Sequence, residues 1–152
     1  VPYSWPNPDE SGDNKTSESN PRGVRKEKAM QALVIDDSRA VRLLVGNILR
    51  EQGFQVFAAG HGGEGLEKLH ENPEISLILV DWNMPVMDGL EFIQAVRQMR
   101  VWDSVRIVMV TTETESEQVQ RAMTAGANEY VMKPFTAEVL VAKLSLLGAF
   151  EE

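Results

Sequence analysis

The 152-residue chain contains no cysteine. That excludes a disulfide framework, a thiolate metal site and a cysteine nucleophile. Histidine is nearly as scarce: His61 and His70 lack a partner at ligand spacing, and both read as surface residues rather than metal ligands. There is no run of eighteen apolar residues and no basic-then-apolar leader, so the sequence reads as a cytoplasmic protein with no membrane part. No internal repeat points to a solenoid, which leaves one domain plus a tail. Bases are outnumbered too, giving a net charge of −8. Residues 1–28 hold five acids and five bases, so the rest of the chain carries the whole excess. Its bases are unclustered, which disfavours a direct grip on a phosphodiester backbone.

Apolar bulk is also missing from residues 1–28, where Val1, Tyr3, Trp5 and Val24 stand among Pro, Ser, Asn, Gly and charge. So few apolar groups do not offset the entropy of ordering, and the segment reads as a disordered N-terminal tail ahead of a domain at 29–152. Its aromatic pair, in Tyr3-Ser-Trp5-Pro6, reads either as a short docking motif or as part of an unstructured extension.

From Gln31 onward, short apolar runs alternate with helical patterns. Residues 32–35 read as a first buried strand. Val41, Leu44, Val45, Ile48 and Leu49 recur at helical spacing, with Ser38 as the cap and Gly53 as the stop. Residues 54–58 alternate like a half-exposed strand, 62–71 form a weak helix ended by Asn72-Pro73, and 75–80 are apolar but for Ser76, as expected of a strand buried on both faces. A helix over 88–100, a strand over 106–110, a helix over 115–125 stopped by Gly126, a strand over 129–132 and a helix from Thr136 to about Leu147 complete five strand–helix units.

Such alternation predicts an α/β fold: a doubly wound, five-stranded parallel sheet between two layers of helices, with right-handed crossovers. The second and fifth strands are the most polar or shortest and go to the edges, giving the order 2-1-3-4-5, the flavodoxin-like and CheY-like three-layer sandwich. Ligands of such sheets bind outside the carboxyl ends of the strands. Asp36 and Asp37, Asp81, Thr111 and Thr112, and Lys133-Pro134 fall there. Singly, these are a capping pair, a strand end and a turn; together on one edge they read as a site.

Three converging carboxylates repel one another and make a trap for a divalent cation, and oxygen-only ligands with room for water suit Mg²⁺. With the cation and Lys133 the charges cancel, and a neutral pocket accepts a phosphoryl group. A carboxylate is a poor nucleophile toward phosphorus unless that charge is screened, which would make Asp81 the acceptor, Lys133 a partner of the phosphoryl oxygens and Thr111 a hydroxyl that turns toward them. A cis bond before Pro134 would aim Lys133 inward.

Asp36-Asp37, Asp81-Trp-Asn-Met-Pro85, Asp88-Gly89, Val110-Thr111 and Tyr130-Val-Met-Lys133-Pro134-Phe135 stand at the spacing of receiver domains of two-component response regulators. The chain resembles that family over residues 31 to about 148, and within it the stand-alone, CheY-like chemotaxis regulators. The resemblance implies a signalling domain, not an enzyme with a separate substrate: its chemistry would be phosphotransfer to itself and autodephosphorylation. It implies Asp81 as acceptor from a sensor histidine kinase or a histidine phosphotransfer protein. It implies Asp37 and Asp81 as direct Mg²⁺ ligands, the Asn83 carbonyl as a third and Asp36 as a water-mediated one, with Thr111 and Tyr130 as a coupled switch. Asn83 and Glu113 would govern water access. Thr112 departs from the small residue usual there, which bears on both rates. Gly65 stands where alanine is usual, at a cost to the second helix of about 1 kcal/mol.

The fourth helix, fifth strand and fifth helix would form the output face, with Tyr130 in it. Val119 and Met123 either contribute to a partner patch there or pack into the core. A downstream protein such as the flagellar motor switch is the expected target, and a monomer the expected state. A receiver excised from a hybrid kinase, transcription factor or phosphorelay protein is the alternative. A haloacid-dehalogenase-type phosphatase would need a second Asp where Asn83 stands. A flavodoxin would need a phosphate loop where Asp36-Asp37-Ser38-Arg39 stands.

Overall fold

The apolar run Ile75–Val80 forms the middle strand of the sheet, and the remaining elements follow from how it is covered on both faces. The computed structural model describes residues 29–150; the tail expected at residues 1–28 lies outside the described residues. In chain order the elements are β1 (Met30–Ile35), α1 (Arg39–Glu51), β2 (Phe54–Ala59), α2 (Gly62–Glu71), β3 (Ile75–Val80) and α3 (Gly89–Arg97). After a 3-10 turn (Arg100–Trp102) come β4 (Arg106–Thr111), α4 (Ser116–Ala125), β5 (Glu129–Met132) and α5 (Ala137–Leu146). All strand pairs are parallel and the order is β2-β1-β3-β4-β5, as the sequence predicts.

Successive strand residues point to opposite faces, and the two cores divide on that rule. Leu33, Ile35, Ile78, Val80, Ile107 and Met109 pack with Leu69, Phe92, Ile93 and Ala122 beneath α2, α3 and α4. Ala32, Val34, Leu77, Leu79, Val108 and Val110 pack with Val45, Leu49, Leu140 and Leu144 beneath α1 and α5. Each face therefore needs its own helices, which makes the three layers.

Local chemistry sets the helix starts. Ser38 Oγ accepts from the Val41 amide, Thr136 Oγ1 from the Val139 amide, and Asp88 forms a reciprocal capping box with Glu91. His61 was expected at the surface rather than as a metal ligand. It is half-buried, and its Nδ1 accepts from the Glu64 amide at 3.2 Å, so it caps α2. His70 is exposed, as expected, with its ring edge-on to Trp102.

Two expectations need correction. The third helix ends at Arg97 rather than at residue 100, because the chain turns to extended geometry at Met99 and then drives Trp102 into the core. Burying that indole outweighs one more helical turn. Gly65 is not simply a weak point in α2. A β-carbon there would stand 2.5 Å from Ile35 Cδ1 and 3.1 Å from Phe92 Cε1, so its absence lets α2 press onto the sheet.

The amino end of the sheet is tied by one side chain that the sequence analysis did not single out. Arg97 donates from Nε to the Gly126 carbonyl at 3.0 Å, from Nη1 to the Trp102 carbonyl at 3.0 Å, and from Nη2 to the Val105 carbonyl at 2.8 Å. Nη2 also reaches Asn128 Oδ1, which accepts the Ile107 amide. One guanidinium thus joins α3 to the chain entering both β4 and β5. Burial pulls its pKa below the ordinary arginine value, with the Asp103 charge opposing.

Candidate functional site

Strand register builds the opposite end. Ile35 pairs with Val80, so the next residues, Asp36 and Asp81, leave the sheet side by side. The Asp81 amide donates to the Ile35 carbonyl at 2.9 Å and the Asp36 amide to the Ala59 carbonyl at 3.1 Å, which fixes both backbones. Thr111 pairs with Met132, and the Lys133 amide donates to the Thr111 carbonyl at 2.9 Å. Lys133 therefore leaves β5 at the same edge. Behind Asp81 the loop folds back tightly: the Gly89 amide bonds the Trp82 carbonyl, and a β-carbon on Gly89 would strike the Asp81 carbonyl oxygen. Only glycine allows that approach. Between them, Val86 is held at φ 71°, with the Met87 amide bonded to the Pro85 carbonyl across it.

Asp36, Asp37 and Asp81 each offer a carboxylate oxygen within 4.8 Å of the others, the sole such metal-capable group among the described residues. Their surroundings differ. Asp36 is 3 % exposed and both its oxygens are engaged: Oδ1 accepts the Ser38 amide at 2.9 Å and Oδ2 takes Lys133 Nζ at 2.8 Å. Asp81 Oδ1 accepts the Trp82 amide at 2.7 Å, while its Oδ2 stands 3.3 Å from Lys133 Nζ. Asp37 is exposed, and among the described residues its carboxylate has no hydrogen-bond or ion-pair partner.

Lys133 is thus a single cation set against three carboxylates. Burial works to lower its pKa, but the hydrogen bond to Asp36 and the charges of Asp81 and Asp36 outweigh it and hold the ammonium above its ordinary value. The peptide bond between Lys133 and Pro134 is cis. Oxygen donors this close suit a hard divalent cation, and the charge deficit beside one lysine is of the size such a cation supplies.

Thr111 is fully buried at the end of β4, and Thr112 beside it is exposed. The expected access and switch residues meet at Glu113. Its carboxylate accepts Asn83 Nδ2 at 3.1 Å, its amide lies 3.5 Å from Thr111 Oγ1, and its carbonyl accepts the Tyr130 hydroxyl at 2.8 Å. Tyr130 is 6 % exposed and packs in the core, while it also lines a groove with Met132, Phe135 and Val139. Its pKa is raised, first by burial and then by the charges of Glu113 and Asp81. Val119 packs against the core, whereas Met123 is 40 % exposed. One turn of helix separates the two alternatives left open for that pair.

Sequence reasoning missed the groups that steady the carboxylates. The Ser38 and Trp82 amides carry no residue-type signal, and Arg42 holds the Asp36 carbonyl with Nη1 at 2.7 Å from within a helix that shows only amphipathic spacing. Among the described residues, no helix is long and apolar enough to cross a membrane.

Comparison with known proteins agrees with this geometry. Residues 32–145 match the response regulator receiver domain. The chain is 40 % identical over 119 residues to the chemotaxis protein CheY1 of Helicobacter pylori, covering 78 % of this chain and 96 % of that protein. It is 41 % identical over 116 residues to a chemotaxis protein CheY homolog of Campylobacter jejuni, covering 76 % and 89 %. The solved structure of Vibrio cholerae CheY4 superposes with a TM-score of 0.74 at 36 % identity, covering 78 % of this chain and 98 % of that one. The chain belongs to the response regulator receiver domains, is CheY-like within that family, and is a two-component response regulator.

Proposed function

We propose that the chain accepts a phosphoryl group on Asp81 and uses it to change which protein partner it holds. The observation that carries this reading is the meeting of Asp36, Asp37 and Asp81 within 4.8 Å, with Lys133 Nζ bonded to two of them. A carboxylate oxygen of Asp81 attacks the phosphorus of a phosphohistidine; the new O–P bond forms as the N–P bond breaks, and the imidazole keeps the electron pair. Lys133, freed in part from Asp36, turns toward the phosphoryl oxygens, and the Thr111 hydroxyl donates to one of them. Asp37, Asp81 and the Asn83 carbonyl would hold Mg²⁺ directly. Asp36, with both oxygens already engaged, would hold it through water. The bound ion supplies positive charge against the incoming phosphoryl group.

Autodephosphorylation ends the signal when water reaches the phosphorus past Asn83, Glu113 and the exposed Thr112. The switch runs through Thr111 and Tyr130, both of which contact Glu113. Output is through α4, β5 and α5, where Met132 and Val139 are 45 % and 47 % exposed and line a groove with Phe135 and Lys143. The phosphodonor is a sensor histidine kinase or histidine phosphotransfer protein. By analogy with the chemotaxis proteins it resembles, the target is a flagellar motor switch protein, the compartment is the cytoplasm, and residues 29–152 are the working unit.

Intact mass after incubation with a small-molecule phosphodonor and Mg²⁺ tests the reading. One phosphoryl group should be gained, and neither Asp81→Asn nor chelation by EDTA should permit it. A gain that survives Asp81→Asn, or no gain at all, contradicts it.

A further inference from the structure

Among the described helices α4 is the one the core holds least. Of its ten residues only Ala122 is buried, and its N-cap residue, Glu115, makes no side-chain capping bond. The other four α-helices each have a capping side chain. A helix anchored so lightly is positioned by the few contacts it has.

Arg121 makes one of them. Its guanidinium carbon lies 5.7 Å from the centroid of the Trp82 ring, within cation–π range. Nη1 donates to Gln118 Oε1 at 3.0 Å, which steadies the side chain from the preceding turn. Among the described residues Arg121 has no ion-pair partner, so the indole face is what its charge meets. It lines the groove between α3 and α4 with Leu90 and Gln94.

Trp82 connects that contact to the carboxylate. Its backbone amide donates to Asp81 Oδ1 at 2.7 Å, and its ring, 6 % exposed, packs in the core that includes Leu90 and Ala122. We infer that Arg121 is a positioning residue that ties α4 to Asp81 through Trp82, giving a change at Asp81 a path to α4 separate from the one through Thr111, Glu113 and Tyr130. This rests on the proposed role of Asp81. A phosphoryl group on one Asp81 oxygen converts the carboxylate to an acyl phosphate. The charge-assisted bond from the Trp82 amide then becomes an ordinary one or is lost. Residue 82 resettles, the indole shifts with it, and Arg121 carries the shift to α4.

The test compares amide spectra of the full chain as wild type, Arg121→Gln and Arg121→Lys, each with Mg²⁺ alone and with Mg²⁺ plus beryllofluoride, a phosphoryl analogue. The Trp82 indole signal, the amides beside Asp81 and those of 116–125 are read together. In the wild type all three should move. In Arg121→Gln the amides beside Asp81 should move as before, while the response of α4 falls about twofold or more, and Arg121→Lys, which keeps a cation over the ring, should restore most of it. An α4 response equal in wild type and Arg121→Gln, or one that lysine fails to restore, overturns the inference. Beryllofluoride that moves nothing, even beside Asp81, overturns the phosphoacceptor reading and this inference with it.

Discussion

At each end of the sheet a half-buried cation gathers several partners, Arg97 at one and Lys133 at the other, and the two are used in opposite ways. At the amino end, Arg97 faces main-chain carbonyls of Trp102, Val105 and Gly126. At the carboxyl end, Lys133 faces the carboxylates of Asp36 and Asp81 with Asp37 close by. Carbonyls are neutral and fixed, so the planar guanidinium satisfies them and leaves nothing to exchange. Carboxylates outnumber their lysine, and an ammonium on a flexible stem can change partners. The first arrangement is structural; the second is poised for an incoming group.

Breaking the amino-end tie should have the largest effect on stability. Arg97→Ala leaves several buried carbonyls without a donor and should cost about 3 kcal/mol in a denaturant titration. Added Mg²⁺ should raise the wild type and this variant alike and leave the difference between them, since the carboxylate site is intact in both. The same substitution should leave phosphoryl gain per folded molecule unchanged.

Lys133→Ala sharpens the contrast. It leaves Asp36 and Asp81 buried without their cation, at a cost of roughly 1–2 kcal/mol, and millimolar Mg²⁺ should recover most of it because the metal supplies the missing charge. Equal Mg²⁺ response in the Arg97→Ala and Lys133→Ala proteins would erase the distinction between the two ends.

The smallest effect concerns pH. Lys133 and Tyr130 both have folded-state pKa values above their ordinary ones, for the reasons given above. Groups raised in the folded state bind protons more tightly there, so their contribution is complete below the unfolded values of about 10.4 and about 10 and is lost as pH rises through the folded ones. Stability should therefore fall as pH rises past about 10. The chain has two tyrosines, Tyr3 and Tyr130. In a Tyr3→Phe variant, phenolate absorbance should appear later than for a free tyrosine, and Glu113→Gln should bring it earlier.

The same contrast explains what could be read in the sequence. β3 announces itself by a run that is apolar but for Ser76, and the strand order follows from which runs are shortest or most polar. Asp36, Asp81, Thr111 and Lys133 were legible because they stand at or just after the ends of such runs, on the one edge where such sheets bind ligands. Arg97, Arg42 and Arg121 were not: two bond main-chain carbonyls and the third an indole face, and neither partner leaves a pattern at fixed spacing. The C-terminal end of α3 and the role of His61 were hidden for related reasons, since Trp102 packing is settled by tertiary contacts and an imidazole is not a usual capping group. Val119 and Met123 share helical spacing, so periodicity alone could not say which turns inward.

The most direct measurement is the location of the modified residue. After incubation with a phosphodonor and Mg²⁺, borohydride reduction converts an aspartyl phosphate to homoserine, which peptide mass mapping places in the chain. Homoserine at position 81 and nowhere else is the predicted result. Homoserine at 36 or 37, or none under conditions where the protein is folded and Mg²⁺ is present, would contradict the assignment of the carboxyl end of the sheet as a phosphoryl-accepting site.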